Sequence, residues 1–528
     1  AEKLNESTKA SKNFAAALEE RPDDRRVLTR LMRLYSEEKD WGKLVDVVLK
    51  LAEGVEDTAQ KAKYIQTAAI VCARQLEDYD QALRHLDQVF ELDPGNANAL
   101  SEAIGVRESM EDYEGMLELL DRAFERAAGD AAEQLKLLER KANLYADKLD
   151  RPAEAITTLE TLQQLDPDNA ERTARLLGMY TANLEVHLDK AVALHMASIH
   201  RDPFDATPYR TLRRIFTECK DADAAWCLCQ ALYCMSSAEP DEERFFRRMR
   251  AETAANAQER LSDEDWIHTL MHPWLDPLVT AVFQLVQPAI ISRNSQPLEQ
   301  LGYQEAFALD LATHPYPMSK TLYYAGGVLD MELPPCFQNP NDGGGISFLH
   351  TQRPSIVLGA AALAAELPTQ AGAFIAARHL TYYRAGLYIR HLVPTGTGLR
   401  TWLFAAIRLI HDTFPVAQEL ESTVSENLDA IRGHVRGPAR DQLASAVTKL
   451  LQSGAIDLKR WVAAVDLTAD RVGFLVCHDL EIANEMVRAS DEASAALGHR
   501  DRIRELSLFS VGPEYFALRK RLGIGIES

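Results

Sequence analysis

Four short turn signals divide the first half of the chain at a nearly fixed interval: Arg21-Pro-Asp-Asp, Asp93-Pro-Gly-Asn, Asp166-Pro-Asp-Asn and Asp202-Pro-Phe-Asp. Their separations fall near multiples of about 36 residues, the mark of one supersecondary unit used repeatedly. Between them runs a second signal, an anchor residue followed by two core residues. Trp41 precedes Leu44 and Val45, Tyr79 precedes Ala82 and Leu83, and Tyr113 precedes Met116 and Leu117. Pro152 precedes Ala155 and Ile156, and Leu188 precedes Ala191 and Val192. A unit this short cannot bury its own apolar face, so the units must stack on one another.

In four units a small residue sits twelve places before the turn proline: Ala10 before Pro22, Ala82 before Pro94, Ala155 before Pro167 and Ala191 before Pro203. A small side chain there lets paired helices approach closely. Apolar residues follow at helical spacing, as in Ala82, Leu86, Val89 and Ala155, Leu159, Leu162, which gives each second helix one buried stripe. The pattern resembles divergent tetratricopeptide repeats. That resemblance implies an α-solenoid over 1–250, with a partner protein or peptide bound on the concave face of 25–235. Ala10, Phe14, Ala17 and Pro22 take second-helix positions, so the chain is expected to enter at half a repeat and to continue a longer array.

A chain of 528 residues is too long for one core and is expected to form two or more domains. Its 46% hydrophobic and 26% charged content place it with globular proteins. The net charge of −21 opposes general nucleic-acid binding and favours partners with basic or amphipathic segments. Ile356–Ala365, the longest strongly apolar run, is about half of what a membrane span requires. The opening Ala1-Glu-Lys-Leu-Asn-Glu shows neither a basic nor an apolar leader region. Seven cysteines, an odd and low count, fit a reducing, cytoplasmic setting. Cys219, Cys227, Cys229 and Cys234 cluster without the Cys-x-x-Cys spacing of a zinc knuckle, and read as small residues packed between helices. No cofactor is expected.

After the charged stretch that starts at Glu239, a boundary is placed at 251–261 and an α+β domain at 262–528. Ser262-Asp-Glu-Asp265 reads as a helix cap. His268 and His272 lie one turn apart, yet Pro273 follows at once, which suits a helix end better than a ligand pair. Strand-like runs occur at Thr321–Tyr324, Val328–Leu333, Ile346–Leu349 and Ser355–Leu358, separated by Gly and Pro. Gly343-Gly-Gly345 and Thr395-Gly-Thr-Gly-Leu-Arg400 lack the Lys-Ser/Thr of a phosphate loop and read as turns. Clear helices are expected at Phe374–Arg390, Trp402–His411, Ala439–Leu451, Leu458–Ala464, Asp470–Arg488 and Glu514–Arg521.

Phe374–Gly386 has the shape of a metallopeptidase active-site helix. A working zincin helix carries His-Glu-x-x-His, in which two imidazoles one turn apart bind zinc and the Glu acts as general base. Those places here read Arg378, His379 and Tyr382. About ninety residues on, Asp466-Leu-Thr-Ala-Asp-Arg-Val-Gly473 resembles the Glu-x-x-Ala-Asp-Arg-x-Gly helix of HExxH peptidases of the HtpX and CAAX-prenyl-protease kind. In that family the first residue of the motif is the third zinc ligand, a position held here by Asp466. Ala469, Asp470, Arg471 and Gly473 match the rest.

A guanidinium does not coordinate a cation, so Arg378 opposes zinc. The resemblance therefore implies a gluzincin-like scaffold without its ligand set. Arg378, His379, Tyr382, Asp466 and Asp470 are its former active-site positions, and Arg378 is expected to pair with Asp466 or Asp470. It also implies a small sheet ahead of the motif helix, and Asn339-Pro-Asn resembles the family's Asn-containing stretch before its edge strand. The expected function is a non-catalytic interaction scaffold or adaptor. A zinc peptidase or chaperone-protease with substituted ligands is the alternative. A different hydrolase in the same cleft has no Gly-x-Ser-x-Gly elbow to support it.

Overall fold

The computed structural model describes residues 7–167, 169–250, 256–364, 366–491 and 496–526. The leading residues 1–6, Asp168 of the third turn signal, 251–255 of the expected boundary and Ala365 of the apolar run lie outside the described residues. The chain is mainly α with one small mixed sheet, and it divides into two compact units, Ala1–Leu188 and Asp189–Ser528.

The first unit is a run of helical hairpins. Its helices are α1 (Ser7–Glu20), α2 (Arg25–Glu38), α3 (Trp41–Glu53), α4 (Thr58–Gln75), α5 (Tyr79–Leu92), α6 (Ala97–Ser109), α7 (Tyr113–Arg126), α8 (Ala131–Asn143), α9 (Pro152–Leu165) and α10 (Ala170–Ala182). Next, α11 (Leu184–Arg201) crosses the division between the units and is broken at His187, so a regular helix resumes at the anchor Leu188. The turn signals act through their fourth residue. Asp24, Asn96, Asn169 and Asp205 are each the N-cap of the next helix, and each side chain accepts from a first-turn N–H. The small residues Ala82, Ala155 and Ala191 are fully buried, as close helix approach requires.

Four of the hairpins also turn through a left-handed residue that is not glycine: Lys39, Glu77, Glu111 and Asp150 all have φ between 52° and 57°. Three are followed by an Asp, Asp40, Asp78 or Asp112, that caps the second helix. A side chain with a Cβ pays steric energy in this region. Glu77→Gly is therefore expected to raise stability by about 0.5–1 kcal/mol. A thermal midpoint that falls would contradict the left-handed turn.

The second unit continues with α12 (Ala206–Glu218), α13 (Ala222–Cys234) and α14 (Pro240–Met249), then α15 (Asp263–Asp265), which runs on into a π turn at Trp266–Leu270. Next come α16 (Pro277–Asn294), α17 (Pro317–Val328), β1 (Cys336–Asn339), β2 (Ile346–Leu349) and β3 (Ser355–Gly359). The remaining helices are α18 (Thr369–Thr381), α19 (Ile389–Leu392), α20 (Gly396–Ile410), α21 (Glu421–His434), α22 (Pro438–Gln452), α23 (Leu458–Cys477), α24 (Leu480–Ala489), α25 (His499–Ser510) and α26 (Pro513–Arg521). The sheet order is β1-β3-β2, with β1 parallel and β2 antiparallel to a fully buried β3. An apolar core built on Val279, Val282, Phe283 and Val286 of α16 packs against α20, α21 and α22.

Although α12–α14 continue the helical pattern of the repeats, their ties run into the rest of the second unit. Asp223 of α13 accepts from Arg519 at 2.8 and 2.9 Å and from the Ile526 N–H at 2.9 Å. Gln230 accepts from the Leu480 N–H, and Arg250 pairs with Asp479 and Glu481 at 2.7 and 2.5 Å. The charged stretch from Glu239 folds as α14, with Phe246 fully buried.

Local readings fail where tertiary context overrides propensity. Thr321–Tyr324 lies within α17 and is not a strand, because Pro317 at the first helical position is preset for helix and Gly326 admits Leu333 against the helix backbone. Val328–Leu333 is the end of that helix and a turn at Asp330, φ 49°. The strand falls instead just beyond Pro335, at Cys336–Asn339. Leu458–Ala464 and the first part of Asp470–Arg488 are one helix, α23, which stops at His478 in a left-handed conformation before α24 begins. The motif helix is shorter than Phe374–Arg390: α18 ends at Thr381.

Candidate functional site

The packing of α18 on α23 builds the site, and Gly473 permits it. A Cβ at Gly473 would stand 3.0 Å from the Phe374 carbonyl oxygen and 2.9 Å from its ring. On α23, Asp466 and Asp470 are one turn apart and project from the same face. Both are buried, and of the other positions singled out in the sequence Arg378 and Tyr382 reach them.

Around Asp470, Arg378 donates from Nε to Oδ1 at 2.7 Å. Arg502 of α25 donates to both oxygens, each at 2.7 Å, and its Nη1 donates to Ser490 Oγ at 2.7 Å. Asp470 and Arg502 are 0% and 2% exposed, whereas the Arg378 side chain retains 26%. Around Asp466, the Tyr382 hydroxyl donates at 2.9 Å and Arg390 Nη2 at 3.2 Å. Burial raises the Tyr382 phenol above its ordinary value, which keeps it protonated and able to donate. Two carboxylates are thus held by three guanidiniums and a phenol.

His379 turns the other way. Its ring stacks on Phe348 of β2 at 4.0 Å, and His391 stacks on Phe348 at 4.0 Å as well. Tyr382 meets His391 edge-on at 4.2 Å. Burial, aided by nearby arginines, pushes His379 down to about 3 and His391 down to about 2. In the unfolded chain both titrate near 6.5. Below that pH the unfolded state binds more protons, so the stability they contribute is complete above about 6.5 and is lost as pH falls toward 3. Denaturation midpoints are expected to drop between pH 7 and 5, and His391→Phe should flatten the drop by about one proton. His195 and His478, pushed down to about 4 by burial, keep a residual slope. A midpoint independent of pH in this window would contradict these buried neutral rings.

The donor set does not fit a zinc ion. Arg378, which the motif comparison sets against the first ligand, is a cation, Tyr382 is committed to Asp466, and Asp466 is already held by Arg390. Among the described residues no three His, Cys, Asp or Glu side chains converge. Arg471, the remaining charged match of the motif, points elsewhere, its guanidinium 4.8 Å over the Phe509 ring. Sequence reasoning missed Arg390, Arg502, Phe348 and His391, none of which belongs to a local motif.

Other singled-out residues separate. His272 is buried with Nε2 3.2 Å from Glu505, while His268 is exposed. Cys227 and Cys229 are fully buried in α13, Cys234 is half-buried and Cys219 exposed, and burial pushes the Cys229 thiol up to about 12. All seven cysteines are free.

In the first unit, charge is sorted by helix. The first helices of the hairpins lean basic, α6 with Glu102 and Glu108 against Arg107 excepted: α2 carries Arg25, Arg26, Arg30 and Arg33 against Glu37 and Glu38, and α4 carries Lys61, Lys63 and Arg74 with no acid. Among the second helices, α9 has Glu154 and Glu160 and no base. Successive first helices are also cross-linked by ion pairs, Arg74 to Glu102 and Arg140 to Glu108 at 2.6 Å, and Arg172 to Glu139 at 2.9 Å.

No protein-family model matches the chain, and no curated protein matches it. A solved structure of Naa15/Naa10 bound to HypK-THB aligns with 92% of this chain at 10% identity and a TM-score of 0.25. The chain spans 63% of that structure's length, and a score this low supports no statement about fold or function.

Proposed function

We propose that the chain is a non-catalytic protein–protein interaction scaffold, with the helical repeats receiving a segment of a partner protein and the second unit acting as a pseudo-peptidase module for binding or assembly. The observation that carries this reading is the Asp466–Asp470 centre, where arginines stand in place of ligands and leave a charge-satisfied core. Function follows from such site chemistry more than from fold. The cytoplasm is the proposed compartment, on the strength of seven free cysteines. Nucleic acid is not a proposed partner of a chain with net charge −21.

Between a basic and an amphipathic segment, the charge sorting favours the amphipathic one. The excess of acid does not lie on the first helices, and their glutamates Glu102, Glu108 and Glu139 are already paired with arginines. An amphipathic helix laid against those helices would bind mainly through apolar contact. Cross-linking mass spectrometry of the full chain with its captured partner tests this. Cross-links are expected on α2, α4, α6, α8 and α10, with capture nearly unchanged between low and physiological salt. Cross-links confined to 256–526 would overturn the assignment to the repeats, and steep loss with salt would restore the basic segment.

A further inference from the structure

Arg390, which donates to Asp466, also forms part of the wall of a cavity of about 600 Å³ in the second unit. That volume is in the range of small-ligand and peptide-end pockets. The cavity lies between the first turns of α20 and α23. Leu399, Leu403, Phe404, Ile456 and Val462 give it an apolar wall, while Arg400 and Lys459 stand beside them with exposed side chains. Neither Arg400 nor Lys459 makes an ion pair or side-chain hydrogen bond among the described residues. With Arg390 already paired to Asp466, Arg400 and Lys459 are, among the described residues, two unpaired cations beside one apolar cavity in a chain of net charge −21.

One acid, Asp457, shares the lining, and its Oδ1 is engaged as the N-cap that accepts from the Arg460 N–H. A nearby carboxylate tolerates a monoanion better than a phosphate dianion. The Thr395-Gly-Thr-Gly-Leu-Arg400 stretch, which has no phosphate-loop chemistry, here opens α20. Thr395 Oγ1 caps the Gly398 N–H, and a Cβ at Gly398 would lie 2.7 Å from Val393, so the tight turn needs glycine. The N–H groups of Gly396 and Thr397, ahead of that cap, have no partner within the helix. An alkyl chain would leave them unmet, whereas a peptide end brings backbone carbonyls as well as a carboxylate.

We infer that this cavity binds the free C-terminus of a polypeptide whose last side chain is apolar, with Arg400 and Lys459 meeting the carboxylate and the α20–α23 wall taking the side chain. The site is separate from the surface proposed on the repeats, and its test involves only the second unit's residues, so either can fail alone. Calorimetry on the full chain would use N-acetyl-Gly-Ser-Ala-Leu-Leu with a free carboxylate, the same peptide as its C-terminal amide, and decanoate. The free acid is expected to bind and the amide to bind about tenfold more weakly or worse, the loss of a charge-assisted contact. Arg400→Glu and Lys459→Glu, both exposed, should each weaken the acid by about tenfold with an unchanged melting temperature. Equal affinity for acid and amide, indifference to both substitutions, absence of peptide binding, or binding of decanoate alone would each overturn the assignment.

Discussion

Asp470→Ala is expected to destabilise the second unit by about 3–5 kcal/mol, because it strips a buried charge from Arg502 and Arg378 at once. Arg502 is 2% exposed, so its guanidinium would be left with the Ser490 hydroxyl as its remaining hydrogen-bond partner among the described residues. For a unit of this size the loss corresponds to roughly 6–15 °C in melting temperature. Arg378→Ala should cost less, about 1–2 kcal/mol, since Arg378 is a quarter exposed and Asp470 keeps both bonds from Arg502. Thermal unfolding of the full chain followed by near-ultraviolet circular dichroism separates the two substitutions. A wild-type midpoint for Asp470→Ala would mean that the carboxylate is not the hub of this network.

Residues 262–528 expressed alone are expected not to fold cooperatively, whereas 189–528 should. Removing α13 leaves Arg519, 1% exposed, without the Asp223 carboxylate that accepts two of its bonds, and leaves the first N–H of α24 without Gln230. It also uncovers the side against which Trp226, Cys227, Leu228 and Leu232, each at most 3% exposed, are packed. In the full chain, Asp223→Ala alone should cost about 3–5 kcal/mol by the same uncompensated-charge argument. A single sharp urea transition in 262–528, at the midpoint of 189–528, would show that the cut made at the sequence boundary leaves a complete unit.

Much of the first unit was legible in the sequence because its chemistry is local. An Asp or Asn after a proline turn caps the helix that follows, and an alanine at the tightest crossing needs no distant partner to be understood. The anchor at Leu188 was legible, whereas the kink at His187 just before it was not. The α18–α23 pairing was legible through motif matches at Ala469, Asp470 and Gly473, residues whose small size or charge serves the packing itself. What could not be read was the identity of the third and fourth partners. Arg502 reaches Asp470 from 32 residues away and Arg390 reaches Asp466 from 76, with no periodicity to announce either. Phe348, between two histidine rings, read only as a strand residue. Thr321–Tyr324 misled because β-branched and aromatic side chains also pack well on a helix that a proline has started. The net charge of −21 was uninformative about the groove, since charge summed over a chain does not say which helix carries it.

The central claim, that arginine and carboxylate occupy the place of a metal centre, is tested most directly by elemental analysis of the full chain purified without chelator, with the wild type compared with His379→Ala and Asp466→Ala. Well below one zinc per chain is predicted for the wild type, with no change in the His379→Ala variant, because the first ligand position is a guanidinium paired with Asp470. Stoichiometric zinc in the wild type, lost in either variant, would contradict the account and restore a metallopeptidase with substituted ligands.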